Sequence, residues 1–245
     1  MPLAILFFAA LWAGAQNALA GGGSFITLPA LMFTGMDARA ANITSTVALF
    51  PGQIATAWTG RQLVSGAPTL PLPALVVISL VGGAIGAVLL LVTPASVFAR
   101  LVPWLVLFAT AVFAWGSFGT RSRTAVRLGR NGTAAAQFLI AIYGGYFGGG
   151  IGILMLAALT AAGFVIRTAG ATKNVLAAIM NASAFAIFVF SSEVRWFQAV
   201  ICVAGAIAGG IIGSLMLARV NETALRFLVI LVGIALTIGL FLRSH

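Results

Sequence analysis

Acidic residues, histidine and cysteine are almost missing from this chain, which has three Asp or Glu, one His and one Cys in 245 residues. The single histidine is the terminal His245, so a Ser-His-Asp hydrolase or a zinc protease is not expected, and one cysteine cannot form a cysteine-ligated metal site. The carboxylates Asp37, Glu193 and Glu222 lie at the ends of apolar runs, and Cys202 lies alone inside one. We therefore expect no enzyme, no cofactor and no metal site.

Charged residues make up only 7% of the chain, and hydrophobic residues make up 62%. The apolar runs reach or exceed the roughly 20 residues that a helix needs to cross about 30 Å of hydrocarbon. This composition predicts an all-α polytopic membrane protein with no separate soluble domain. The net charge of +10 comes from basic residues that stand singly between the runs. That pattern is typical of orientation signals rather than of a nucleic-acid-binding surface.

Glycine triplets interrupt two of the apolar runs. The first is Gly21-Gly22-Gly23-Ser24, and the second is Gly148-Gly149-Gly150-Ile151-Gly152. Each glycine costs a helix interior about 1 kcal/mol relative to alanine, so three in a row predict a break. Backbone groups freed in hydrocarbon must be satisfied by protein, a water-lined cavity or a ligand. The triplets therefore predict re-entrant or discontinuous helices, a pattern typical of transport sites.

The second half of the chain repeats the order of the first. Gly148 follows Gly21 by 127 positions, and Gly209-Gly210-Ile211-Ile212-Gly213 follows Gly82-Gly83-Ala84-Ile85-Gly86 by the same interval. Between them, residues 41–47 align with residues 169–175 after one added residue, at an interval of 128. We predict an N-terminal membrane repeat over residues 1–118, a basic linker over 119–131 and a C-terminal membrane repeat over 132–245. Each repeat is expected to hold one glycine-broken segment and about three spanning helices, which gives about eight hydrophobic segments in all.

The positions of the basic residues indicate how the two repeats are oriented across the membrane. If each glycine-broken run crosses the membrane once, the basic residues divide seven against six between the two sides. If each run turns back at its glycines, nine share one side: Arg61, Arg121, Arg123, Arg127, Arg130, Arg167, Lys173, Arg219 and Arg226. The positive-inside rule favours the second arrangement, in which the repeats are inverted.

Converging glycine turns would place the N-termini of the following helices near the middle of the membrane. Free N–H groups and the helix dipole attract anions there, and hydroxyls, amides and one ammonium group suit a small oxyanion. An alternative for Lys173 is that it extends to the membrane interface. The predicted substrate-binding residues are Gly21, Gly22, Gly23, Ser24, Asn42, Thr44, Ser45, Thr46, Gly148, Gly149, Gly150, Gly152, Thr172, Lys173 and Asn174.

Several of these segments resemble the TauE/SafE family of membrane anion transporters, also called the toluene sulfonate uptake permease family. The similar segments are residues 21–29, Ala41-Asn42-Ile43-Thr44-Ser45, residues 144–152, Ala171-Thr172-Lys173 and Val194-Arg195-Trp196. The chain departs from the family at Leu19, where a glycine is common. The resemblance implies transport of sulfite, sulfonates or related organosulfur acids across the bacterial inner membrane.

Two other functions remain open from the sequence. The glycines could simply allow tight helix packing in a membrane interaction or assembly subunit that transports nothing, or the protein could be an anion channel. The expected partners are a small anionic substrate, with H⁺ or Na⁺ coupling, and membrane lipid. A homo-oligomer is also open, and nucleic acid is not expected.

Overall fold

The computed structural model describes residues 2–19, 22–68, 70–118, 128–216 and 222–243. These residues form ten α-helices, one short 3₁₀ turn (Arg61–Leu63) and no strand, which confirms the all-α prediction. The α-helices are α1 (Pro2–Leu19), α2 (Ser24–Phe33), α3 (Ala38–Gly60), α4 (Leu72–Val92), α5 (Ala95–Phe118), α6 (Arg130–Tyr146), α7 (Ile151–Ala161), α8 (Ile166–Phe188), α9 (Trp196–Met216) and α10 (Glu222–Arg243). Helix α6 begins two residues before the predicted repeat boundary at residue 132.

Four helices in the described part of the chain are long and apolar enough to cross a membrane. They are Leu72–Val92, Ala95–Trp115, Arg167–Phe188 and Trp196–Gly213. Shorter apolar helices are Leu3–Asn17, Ser24–Phe33, Ile151–Ala161 and Ile230–Leu242. Large hydrophobic side chains, such as Phe8, Trp104 and Phe190, are exposed on the outside of the bundle, as expected of a surface that faces lipid.

Both glycine triplets end a helix, which confirms the predicted breaks. Gly22, Gly148 and Gly150 have φ values of 87°, 78° and 73°. L-residues with a side chain rarely adopt this left-handed region, so the chain needs glycine to turn there. The interruption separates α1 from α2 and α6 from α7.

Each interrupted pair folds back as a hairpin. The backbone N–H of Leu128, just before α6, donates to the carbonyl of Ala161 at the end of α7 (2.9 Å). A Cβ added to Gly23 would lie 2.6 Å from the carbonyl oxygen of Ala13. Ten residues of continuous helix would separate Gly23 and Ala13 by about 15 Å, so α2 returns alongside α1.

The six main helix pairs are α1 with α9, α4 with α6, α4 with α8, α3 with α9, α3 with α8 and α5 with α10. Glycines allow two of these pairs to approach closely. A Cβ at Gly86 would clash with the backbone of Ile142, and one at Gly209 would clash with the backbone of Leu11. Glycine at these contacts therefore lets the helix backbones approach closely.

Contacts across the bundle define its two ends. At the start of α3, Arg39 hydrogen-bonds the carbonyl of Thr93 and the carboxylate of Glu193; we call this the Arg39 end. Beyond the other end of α3, the backbone N–H of Ser65 donates to Thr172 Oγ1 at 3.3 Å; we call this the Ser65 end. Pro68 and Gly163 also approach each other there.

Candidate functional site

A cavity of about 50 Å³ lies where the two glycine turns meet. One water molecule needs about 10–15 Å³ of such space, so the cavity accommodates a group of a few heavy atoms. Its walls come from five helices and both turns. The lining residues are Asn17, Gly22, Ser24, Gln53, Thr56, Gly148, Ile151, Gly152, Lys173, Asn174 and Ala177.

The first turn is held in shape by two amide side chains at the end of α1. Gln16 Nε2 donates to the carbonyl of Gly22 at 3.2 Å, and Asn17 Oδ1 accepts from the N–H of Gly23 at 2.7 Å. These bonds fix the left-handed turn at Gly22. As a result, Ser24, the first residue of α2, lies at the cavity.

The second turn reaches the cavity from the other hairpin. A Cβ on Gly148 would lie 3.9 Å from Ser24 Oγ, so the two turns are neighbours. Gly150 is the left-handed residue directly before α7. The N–H groups of Ile151 and Gly152, in the first turn of α7, make no hydrogen bond within the described residues, and both residues line the cavity. Such free N–H groups give this end of a helix a partial positive charge.

Helices α3 and α8 supply the remaining side chains. Ala177 lies one turn after Lys173 and Asn174 on α8, and all three line the cavity with Gln53 and Thr56 of α3. Lys173 is the formal charge of this lining, and within the described residues it makes no hydrogen bond or ion pair. The lining therefore combines one basic side chain with the N-terminus of α7 and contains no carboxylate.

Six predicted site residues line the cavity: Gly22, Ser24, Gly148, Gly152, Lys173 and Asn174. Sequence reasoning missed Asn17, Gln53, Thr56, Ile151 and Ala177. Some of these residues could have been found in the sequence as amide side chains within otherwise apolar helices. Gln53 illustrates it, because its Oε1 accepts from Asn181 Nδ2 at 2.6 Å across the α3–α8 contact.

The polar cluster at the start of α3 lies elsewhere, bonded within the protein. Asn42 Nδ2 donates to the carbonyl of Tyr146, and Thr46 Oγ1 donates to the carbonyl of Asn42. The hydroxyls of Ser45 and Thr27 hydrogen-bond at 2.5 Å. Thr44 Oγ1 accepts from the N–H of Arg195.

The other predicted residues shape the turns without lining the cavity. Gly23 packs against α1, Gly149 lies against the ring of Phe147, and Gly150 lies against Ala109 of α5. Thr172 bonds the backbone of Ser65. Gly21 is outside the described residues. Among the residues that are described, no three His, Cys, Asp or Glu side chains cluster as a metal site would require.

Comparison with known proteins places this architecture among membrane transporters. The family model described as Sulfite exporter TauE/SafE matches residues 6–240. A protein of Sinorhizobium sp, "Probable membrane transporter protein ORF9", is 31% identical over 97% of this chain and 92% of its own length. "Probable membrane transporter protein YfcA" of Escherichia coli (strain K12) is 28% identical over 99% of this chain and 91% of its own length.

A further relative, "Probable membrane transporter protein" of Haemophilus influenzae, is 28% identical over 96% of this chain and 92% of its own length. No solved structure matches. The family match covers nearly the whole chain, including both glycine turns and every residue that lines the cavity. The chain therefore belongs to the sulfite exporter TauE/SafE family.

Proposed function

We propose that this protein is a secondary transporter that moves a small anion, sulfite or an organosulfonate, across the bacterial inner membrane by alternating access. One observation carries the proposal: Lys173 and the free N–H groups at the start of α7 line one cavity between two glycine turns. A helix N-terminus and an ammonium group both favour negative charge. The printed family name, sulfite exporter, supports the choice of a sulfur oxyanion.

We further propose that α1–α5 and α6–α10 are two repeats of one ancestral unit. The helices match in order and length: 18 and 17 residues, 10 and 11, 23 and 23, 21 and 21, 24 and 22. The packing matches as well, since α1 contacts α9 and α6 contacts α4. Thr44 of α3 bonds the loop after α8, and Thr172 of α8 bonds the loop after α3.

Helix directions support an inverted arrangement of these repeats. Gly205 and Gly213 of α9 lie against Phe7 and Ala15 of α1, so the two helices run parallel from the Arg39 end. Gly82 and Gly86 of α4 lie in the same way against α6, which therefore runs from the Ser65 end. The first repeat thus starts at one face of the membrane and the second at the other, as in many secondary carriers.

On this topology α5 ends and α6 begins at the Ser65 end. Arg61, Arg130 and Arg167 flank helices at the same end. The positive-inside rule then assigns the Ser65 end to the cytoplasm.

The arrangement corresponds to a cytoplasm-facing state of the transport cycle. Asn42 of α3 is buried and bonded at the Arg39 end, whereas its counterpart in α8, Gly170, has no atom within 4 Å of an added Cβ. Arg39 is paired with Glu193, whereas no ion pair or hydrogen bond of the counterpart Arg167 occurs within the described residues. The Arg39–Glu193 pair thus acts as an outer gate, and the cavity communicates with the cytoplasm.

Uptake into proteoliposomes tests the proposal against its alternatives. Sulfite, thiosulfate, sulfoacetate and lactate are offered under an imposed proton or sodium gradient. We expect saturable uptake of at least one sulfur oxyanion and none by protein-free liposomes. Flux that stays proportional to concentration would instead indicate an anion channel, and no flux of any anion would indicate an assembly subunit.

A further inference from the structure

We propose that Asn17 and Gln53 bind the transported anion and that they select oxyanions without a bound proton. The inference rests on the proposed transport function and names the substrate class. Asn17 and Gln53 line the cavity from different helices of the first half, together with Lys173. In both amides a protein group already occupies the side-chain oxygen.

The two bonds direct each side-chain oxygen at a protein N–H group and leave both side-chain nitrogens without a protein partner among the described residues. Asn17 Oδ1 accepts from the N–H of Gly23 at 2.7 Å, and Gln53 Oε1 accepts from Asn181 Nδ2 at 2.6 Å. Neither Asn17 Nδ2 nor Gln53 Nε2 makes a hydrogen bond within the described residues. Because an amide nitrogen carries two hydrogens and accepts none, each side chain offers N–H groups to the cavity.

Asn181 fixes the orientation of Gln53. It lies inside the bundle on α8 and is 4% exposed, and it follows Gln53 by 128 positions, the same interval that separates Ser45 from Lys173. Its Nδ2 donates to the oxygen of Gln53, which places the nitrogen of Gln53 on the opposite side of the amide. Asn181 is therefore a positioning residue, since it does not line the cavity.

Donors predominate in the rest of the lining. Lys173 Nζ and the N–H groups of Ile151 and Gly152 cannot accept a hydrogen bond. The hydroxyls of Ser24 and Thr56 can donate or accept, and the amide of Asn174 carries both a donor and an acceptor. No carboxylate lines the cavity. An oxyanion whose oxygens all accept can bond every one of these donors, whereas an O–H group must reach Ser24, Thr56 or Asn174 or displace a donor.

Discrimination on this basis is strong because a buried mismatch costs more than a lost contact. A site built to form specific hydrogen bonds rejects an analogue with the wrong donor pattern by about 10⁴–10⁵-fold when the mismatched groups stay unpaired. Sulfate and hydrogen phosphate are suitable probes, since they share size, shape and charge but only hydrogen phosphate carries a proton.

The test uses purified full-length protein in proteoliposomes and competition by these two anions against a labelled substrate found in the uptake panel. For the unmodified protein we expect sulfate to compete at least about a hundred times better than hydrogen phosphate. The substitution Asn181→Asp replaces the donor by an acceptor, which should turn Gln53 so that its oxygen faces the cavity. We expect KM for the substrate to rise about ten-fold. The ratio by which sulfate competes better than hydrogen phosphate should decrease.

Gln53→Glu should also reduce the preference for sulfate over hydrogen phosphate. The double exchange Gln53→Asn with Asn181→Gln should restore that preference. Gln137→Leu is the matched control, because Gln137 is a buried amide that bonds Ser79 away from the cavity. Unmodified protein that transports the substrate but is inhibited equally by both anions would overturn the inference. So would an unchanged preference in both Asn181→Asp and Gln53→Glu. Absence of uptake by the unmodified protein would instead overturn the transport function.

Discussion

Arg39 and Glu193 form an ion pair across the two halves of the protein, with Arg39 Nη2 2.6 Å from Glu193 Oε1. The two side chains are 18% and 27% exposed. Arg39 Nη1 also donates to the carbonyl of Thr93 at 2.7 Å. One guanidinium thus joins the start of α3, the α4–α5 turn and the loop before α9 at the Arg39 end.

Removing the charge of Glu193 should open this end more often. A hydrogen bond to a charged group contributes about 1.5–3 kcal/mol, so Glu193→Gln should raise the open fraction about ten-fold or more. The measurement is the labelling rate of an Ala41→Cys reporter, buried in α3, by a membrane-impermeant maleimide. The native Cys202 is buried and gives little background.

Arg167→Gln is the matched control for the gate, since Arg167 is the exposed counterpart of Arg39 at the Ser65 end. It should leave the labelling rate unchanged. Equal labelling of the reporter in the Glu193→Gln and unmodified backgrounds would contradict the role of the ion pair as a gate.

The glycine turn at the cavity should tolerate a methyl group poorly. Gly148→Ala places a Cβ at a residue with φ of 78° and brings it toward Ser24. Gly35→Ala is the control, because Gly35 has φ of 90° with no neighbour within 4 Å of an added Cβ and lies outside the cavity. Both carry a strain of about 1–2 kcal/mol. We expect uptake to fall about ten-fold in Gly148→Ala alone; equal losses in the two variants would show that strain and not the cavity is responsible.

Helix α4 packs closely on α6, and α1 packs closely on α9. We therefore expect substitutions in either contact to lower stability by similar amounts. Gly86→Ala and Gly209→Ala each force a Cβ against the backbone of the neighbouring helix, and overpacking of this kind costs about 1–3 kcal/mol. Gly239→Ala, which meets no atom within 4 Å, should be neutral. The measurement is the midpoint of thermal unfolding in detergent. A large decrease of this midpoint in only one of Gly86→Ala and Gly209→Ala would contradict equivalent packing in the two halves.

Much of the fold follows from local sequence. Three consecutive glycines cannot continue a helix, so the breaks at Gly22 and Gly148 are predictable from residue type alone. Composition could not decide between one crossing and a turn back, since both satisfy the same hydrophobicity. That choice depends on contacts between distant residues, such as the bond from Leu128 to Ala161. The distribution of arginines also favoured a turn back at the glycines, through the positive-inside rule and independently of those contacts.

The site was less predictable than the fold. Lys173 stands out as a charge in an apolar run, and the structure places it at the cavity. Ser45, its counterpart in the first half, instead bonds Thr27, because a hydroxyl can be satisfied inside the protein more easily than an ammonium group. From the sequence, Gln53 could face lipid, pack against another helix or line the cavity. Only the contact between α3 and α8 determines which of these occurs.

The most direct measurement of the oxyanion site is saturable uptake by Lys173→Ala and Lys173→Arg in proteoliposomes, with Arg167→Ala as a control for loss of a cation on the same helix. If Lys173 holds the anion beside the N-terminus of α7, kcat/KM falls at least about ten-fold in Lys173→Ala. It falls less in Lys173→Arg and stays unchanged in Arg167→Ala. Uptake by Lys173→Ala with the kinetics of the unmodified protein would contradict an anion site at this cavity.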